Sequence, residues 1–191
     1  MIESLYTLAS ASGESPIEYP TWAEAGWYLL GIIFFLLLNA FFVASEFAIV
    51  KVRPSQIEGE LEKKPRRAGI SKRVVSNLDG YLSANQLGIT IASLALAFLG
   101  EPFIEKLVGP SLLKTGMGEE WIKIITFLTA MLSFTFLHVV IGELLPKSIA
   151  IRKSLATTLV IARPLHLFYA VFQIVTKLSL IFFIMLQQLV F

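Results

Sequence analysis

The stretch His138-Val139-Val140-Ile141-Gly142-Glu143-Leu144-Leu145-Pro146-Lys147 closes a long apolar run and puts a carboxylate where a membrane helix tolerates one least. An acid inside a bilayer is costly and by default marks an ion or proton path. Pro146 follows Gly142 by four residues and has no N–H to give, so in a helix the Gly142 carbonyl is left free. One short segment therefore offers two hard oxygen ligands, one charged and one neutral. The rest of the chain reads as the scaffold that supplies the others.

The composition agrees with a membrane setting. The 191 residues are 55% hydrophobic and only 16% charged, with a mean hydropathy of +0.73, whereas soluble domains are about a quarter charged. The charges are clustered and leave long runs without any, so the fold class expected is an all-α integral membrane domain. The absence of cysteine excludes disulfides, thiol catalysis and Cys-based zinc or iron–sulfur sites.

Outward from the opening stretch, three charge-free runs are long enough to span a hydrocarbon core of about 20 helical residues. The first, Ala25 to Ser45, is flanked by Trp22 and Trp27 and predicts a transmembrane helix over about 25–50, with Asn39, Ser45 and Glu46 as its polar interruptions. The second, Gly80 to Gly100, predicts a helix over about 81–100. Its residues Ser83, Gln86, Thr90 and Ser93 fall on one face, pointing into the bundle or to interhelical hydrogen bonds. The third, Ile124 to Gly142, predicts a helix over about 122–145.

Between the first two, residues 51–80 hold eight Lys/Arg against four acids, a cytosolic basic helical segment under the positive-inside rule. Its expected contact is lipid headgroups, not nucleic acid. Residues 101–121 form an outer connector without positive excess, and residues 1–24 an extracytoplasmic leader with no Lys or Arg, unlike the start of a signal peptide. Lys147, Arg152, Lys153 and Arg163 return the third helix to the inside. From 164 to 191 the only charge is Lys177, and His166, Tyr169, Gln173 and Lys177 share a face. That pattern favours an interfacial or re-entrant helix over a fourth span. The apolar run continues to Phe191, so a soluble part is expected beyond it.

The three helices bring oxygen donors to a similar depth in the inner half of the bilayer: Ser45, Thr90 or Ser93, the Gly142 carbonyl and Glu143. Oxygen-only ligation selects hard cations such as Mg²⁺, Ca²⁺ or Na⁺. His138 and Glu143 are five apart and match no zinc-hydrolase spacing, so His138 reads as a hydrogen-bonded packing residue. Glu46 lies close to Lys51 and Arg53, and a structural ion pair is expected there. No nucleophile–base pair or phosphate loop is present, and no enzyme is expected.

Three motifs then carry a resemblance. Asn39-Ala40-Phe41-Phe42-Val43-Ala44-Ser45-Glu46, Leu82-Ser83-Ala84-Asn85-Gln86-Leu87-Gly88-Ile89-Thr90 and Gly142-Glu143-Leu144-Leu145-Pro146-Lys147 resemble, in order, the three helix signatures of the CNNM/CorC magnesium transporters. The likeness covers the transmembrane (DUF21) domain of that family, here 25–191. It implies a homodimer in the cell (inner or plasma) membrane, multi-pass, with the N-terminus outside. Each subunit would have three membrane helices and a cytosolic helical belt. It also implies Mg²⁺ export driven by inward Na⁺, and cytosolic ATP-binding CBS and CorC/HlyC-type domains that these 191 residues do not include. The motif ligands carry over to Ser45, Gly142 and Glu143. Many relatives place Asn ligands where this chain reads Ile89, Thr90 and Ser93, while Asn85 sits on another helix face. The metal set expected is thus Ser45, Thr90, Ser93, Gly142 and Glu143, with Pro146, Asn39, Glu46, Gln86 and Lys147 in structural or gating roles. The competing expectation is a membrane-embedded Mg²⁺ sensor or scaffold that binds the ion without moving it.

Overall fold

In the computed structural model the backbone is described for residues 19–190 and the side chains for residues 19–173. Every regular element among them is helical: α1 Trp22–Lys51, α2 Pro54–Glu58, α3 Pro65–Ser76, α4 Leu78–Leu113, α5 Glu119–Leu137, a π-helical stretch His138–Leu144, α6 Leu145–Arg152 and α7 Ser154–Val190. The expected leader falls outside the described residues up to position 18, and so do the side chains of 174–191, including Lys177.

Among the described residues four helical segments, not specifically three, are long and apolar enough to cross a membrane: Trp22–Lys51, Leu78–Leu113, Glu119–Arg152 and Ser154–Gln173. Two of them outrun the boundaries read from charge alone. α4 continues through Pro102 and Pro110 to Leu113, so part of the expected connector 101–121 is helical. Each proline removes one helical N–H, and membrane helices accommodate such breaks by local adjustment. α7 begins at Ser154 and carries Pro164 within it, ten residues earlier than the expected start.

The chain divides into two compact units, Met1–Ile33 with Leu96–Phe136 and Phe34–Ala95 with Leu137–Phe191. In the first, polar clasps tie the chain ends of the helices together. The Lys106 ammonium donates to Glu24 Oε1 at 3.3 Å, and Tyr19 and Ser111 share a hydroxyl hydrogen bond of 2.8 Å.

The second unit holds the main core. Phe42, Ile49, Val74, Tyr81, Ile161, Ala162 and Leu165 form one buried cluster, and Val52, Ile57, Ala68 and Leu159 form another. Inside lipid such packing is held by close contact rather than by exclusion of water, so small residues matter. A Cβ on Gly88 would lie 2.5 Å from the Phe42 ring; only glycine lets α1 and α4 approach this closely. Between Trp27 and Val50 the exposed side chains of α1, among them Leu30, Ile33, Phe34 and Leu37, are all apolar, as a lipid-facing surface requires.

The basic segment folds as two short helices. α3 buries Ala68, Ser71 and Val74 and packs chiefly on α7, where the Ser71 hydroxyl donates to the Thr158 carbonyl at 3.4 Å. Arg66, Arg67, Lys72 and Arg73 stay exposed. The Lys72 ammonium donates to Glu58 Oε1 at 2.8 Å and holds that carboxyl below the usual carboxylate range.

The polar face expected on α7 has found partners within the protein. His166 Nδ1 and the Tyr81 hydroxyl hydrogen-bond at 2.5 Å, and Asn77 Nδ2 donates to the Tyr169 hydroxyl at 3.3 Å. Polar residues at three- and four-residue spacing therefore face the start of α4.

Candidate metal site

The third helix changes its winding where the opening motif lies. Over His138–Leu144 it widens to a π turn, and the Leu145 N–H bonds the Val140 carbonyl, five residues back. A proline just beyond, unable to close the α-helical bond to Gly142, sits at a natural place for this local change, and π turns recur at functional sites. The Gly142 carbonyl does not stay bare. Asn39 of α1 donates to it through Nδ2 at 3.0 Å, across 103 residues of sequence.

Asn39 is fully buried and anchors a network. Its Oδ1 lies 3.4 Å from the Ser93 hydroxyl of α4, and Ser93 Oγ lies 3.2 Å from His138 Nε2. A hydroxyl has one proton, and the shortest acceptor for Ser93 is the Ile89 carbonyl at 2.8 Å. With the proton placed there, Ser93 Oγ and Asn39 Oδ1 present lone pairs to one another, a pair of hard neutral oxygens. Gly142 is buried, and a Cβ at that position would lie 3.0 Å from Asn39 Nδ2 and 3.2 Å from His138 Cδ2. The close approach that makes the network needs glycine.

The other hydroxyls of the expected set use the same device. Ser45, fully buried, donates to the Phe41 carbonyl at 2.7 Å, and Thr90 to the Gln86 carbonyl at 2.8 Å. Each gives its proton to its own helix and turns lone pairs outward, as a cation ligand must. Their positions differ. Thr90 and Gln86 lie on the exposed surface of α4, so only the Ser93 end of the polar stripe enters the helix packing of this chain. Ser45 belongs to the buried face of α1, six residues from Asn39.

Glu143 is half-buried and forms no hydrogen bond or ion pair among the described residues. It lies within electrostatic range of Glu46, as does Lys147. Lys147 Nζ stands 4.4 Å from the centroid of the Phe47 ring, a cation–π contact that holds its charge against α1. The ion pair expected between Glu46 and Lys51 or Arg53 is not formed. Those two basic side chains lie at and beyond the helix end and are exposed, where water solvates them better than a half-buried acid does. No group of three or more His, Cys, Asp or Glu converges among the described residues.

The structure thus brings together Asn39, Ser93, Gly142 and His138, and separately relates Glu46, Glu143 and Lys147. His138, expected as a hydrogen-bonded packing residue, is hydrogen-bonded through Nε2 to Ser93 Oγ. Its signal was the four-residue step to Gly142, which a π turn keeps on one face.

The chain as a whole is similar to known proteins. Residues 30–190 match the model of the Cyclin M transmembrane N-terminal domain. The chain belongs to that family. It is 48% identical over 143 residues to UPF0053 protein YugS of Bacillus subtilis, covering 75% of this chain and 33% of YugS. To UPF0053 protein YhdT of the same organism it is 48% identical over 141 residues, covering 74% of this chain and 30% of YhdT. An uncharacterized protein of Mycobacterium tuberculosis, Rv1841c, is 31% identical over 139 residues, covering 71% of this chain and 39% of that protein. The chain spans about a third of the length of the curated relatives it matches.

Proposed function

We propose that this domain carries Mg²⁺ across the cell membrane, as an exporter driven by inward Na⁺. Glu143 supplies the charge, and Ser45, Ser93 and the Gly142 carbonyl supply neutral oxygens. The observation that carries this reading is the buried network joining Asn39, Ser93 and Gly142. It fixes a carbonyl, a carboxamide oxygen and a hydroxyl from three helices at one level, with an unpaired carboxylate on the adjoining residue. Such a donor set suits a hard cation bound weakly enough to be released.

In this reading three helices, Trp22–Lys51, Leu78–Leu113 and Glu119–Arg152, span the bilayer with the N-terminus outside, and α7 lies along the cytoplasmic boundary. The contacts of α7 support it. Leu159 packs with Val52 at the end of α1, while Tyr169, ten residues on, touches Asn77 and Tyr81 at the start of α4. Ten residues extend about 15 Å, yet both points stay at the basic-segment ends of the spanning helices. Gln86 and Thr90, polar and exposed on a spanning helix, support a homodimer in which a second copy covers them, because lipid is a poor surroundings for such groups. ATP-binding CBS domains would follow in the full-length protein and regulate the transport step.

Flux assays on proteoliposomes of the purified chain, with and without a Na⁺ gradient, test the proposal. Mg²⁺ flux that falls at least tenfold in Glu143→Ala supports transport through this site. Mg²⁺-dependent thermal stabilisation without flux would instead assign the domain to sensing. A Glu143→Ala protein with wild-type flux and affinity overturns the site.

A further inference from the structure

α1 and α4 run antiparallel with a readable register. Asn39 faces Ser93, Phe42 faces Gly88, and Ile49 shares a buried cluster with Tyr81. Between the last two levels lies one more. On α1 it falls at Glu46, four residues after Phe42 and three before Ile49; on α4 it falls at Asn85, three before Gly88 and four after Tyr81. The steps of three and four keep both residues on the facing surfaces.

Both are chemically unfinished. Asn85 is fully buried, and neither its Nδ2 nor its Oδ1 has a hydrogen-bond partner. Buried carboxamides in native proteins are almost always bonded, and each exception calls for an explanation. Glu46 is half-buried in a spanning helix and has no hydrogen bond or ion pair among the described residues. The register thus sets a carboxylate and a carboxamide oxygen, both hard donors, at one level.

We propose that Glu46 and Asn85 hold a second divalent-cation position, about 10 Å further along α1 than Asn39. A cation there takes the Asn85 Oδ1 and one Glu46 oxygen, leaving Asn85 Nδ2 free to donate to the other carboxylate oxygen. Glu143 lies within electrostatic range of Glu46, so filling one position weakens or strengthens binding at the other. The proposal rests on the cation-transport reading for the class of ion, and adds to it a station on the route from the basic-segment side.

Counting bound Mn²⁺ by electron paramagnetic resonance, with Mg²⁺ as competitor, on the purified chain in nanodiscs tests it. Wild type is expected to bind two ions per chain. Glu46→Gln and Asn85→Ala each lose one or bind it at least tenfold more weakly, whereas Glu143→Gln loses the other. Glu46→Gln is nearly isosteric, so it keeps the fold intact if Asn85→Ala does not. If wild type binds one ion, lost in Glu143→Gln and kept in Glu46→Gln and Asn85→Ala, the second position is overturned and the first stands. An ion lost in Glu46→Gln and Asn85→Ala but kept in Glu143→Gln supports the second position and removes the first. A wild type that binds no Mn²⁺ overturns both. An Asn85→Leu protein, matched in size, whose metal-free thermal midpoint falls overturns the second position alone, since that marks a packing role for the amide.

Discussion

Two levels of the same helix pair behave in opposite ways. At the Asn39 level every polar atom that the helices bury has been given a neighbour: carbonyl, carboxamide, hydroxyl and imidazole are linked across α1, α4 and the π turn. At the Glu46 level, two turns along, a buried carboxamide and a half-buried carboxylate have no hydrogen-bond partner among the described residues. The contrast separates polar groups already tied to one another from polar groups left unbonded, and it predicts opposite signs for similar substitutions.

Asn39→Leu is expected to have the largest effect. It strands the buried Gly142 carbonyl and costs about 1–3 kcal/mol, read as a lower thermal midpoint in detergent without added metal. Asn85→Leu should do the reverse, because it removes an unpartnered amide of similar size. Its metal-free midpoint should stay level or rise, by no more than about 1–2 kcal/mol. A fall in both variants would erase the distinction between the levels. Lys147→Met comes next. It removes the cation over Phe47 at a cost of about 0.5–1 kcal/mol, and should also tighten divalent-cation binding near Glu46 and Glu143 in a Mn²⁺ titration. The smallest effect lies outside the bilayer. Glu58 has its carboxyl held low by Lys72, so its contribution is present above the ordinary carboxylate pKa and is lost as pH falls through the depressed folded value. Comparing the acid limb of thermal midpoint against pH for wild type and Glu58→Gln checks this, with the curves converging at low pH. The pair is exposed, and exposed pairs contribute little.

The three apolar runs and the basic segment between the first two were legible in the sequence because hydropathy and charge clustering are local properties. The family was legible too, from three short motifs. Helix ends were not. Pro102 and Pro110 look like stops in a window of sequence, but neighbouring packing carries α4 past both. The polar face of α7 was visible as a period; that it is answered by Tyr81 and Asn77 instead of water is a tertiary fact. The missing N–H of Pro146 correctly pointed to Gly142, yet the answering donor, Asn39, lies 103 residues away. Asn85 was read by its azimuth alone, and only burial reveals that its amide is alone.

The π turn at His138–Leu144 has one more consequence. It stores a surplus residue in an otherwise α-helical rod, much as a dislocation stores an extra row in a crystal. Removing one residue from the stretch should heal the defect and turn everything after it, Pro146 and Lys147 included, by roughly 100° about the helix axis. The same surplus can migrate along the rod without breaking it, so the third helix holds a rotation in reserve while both of its ends stay fixed.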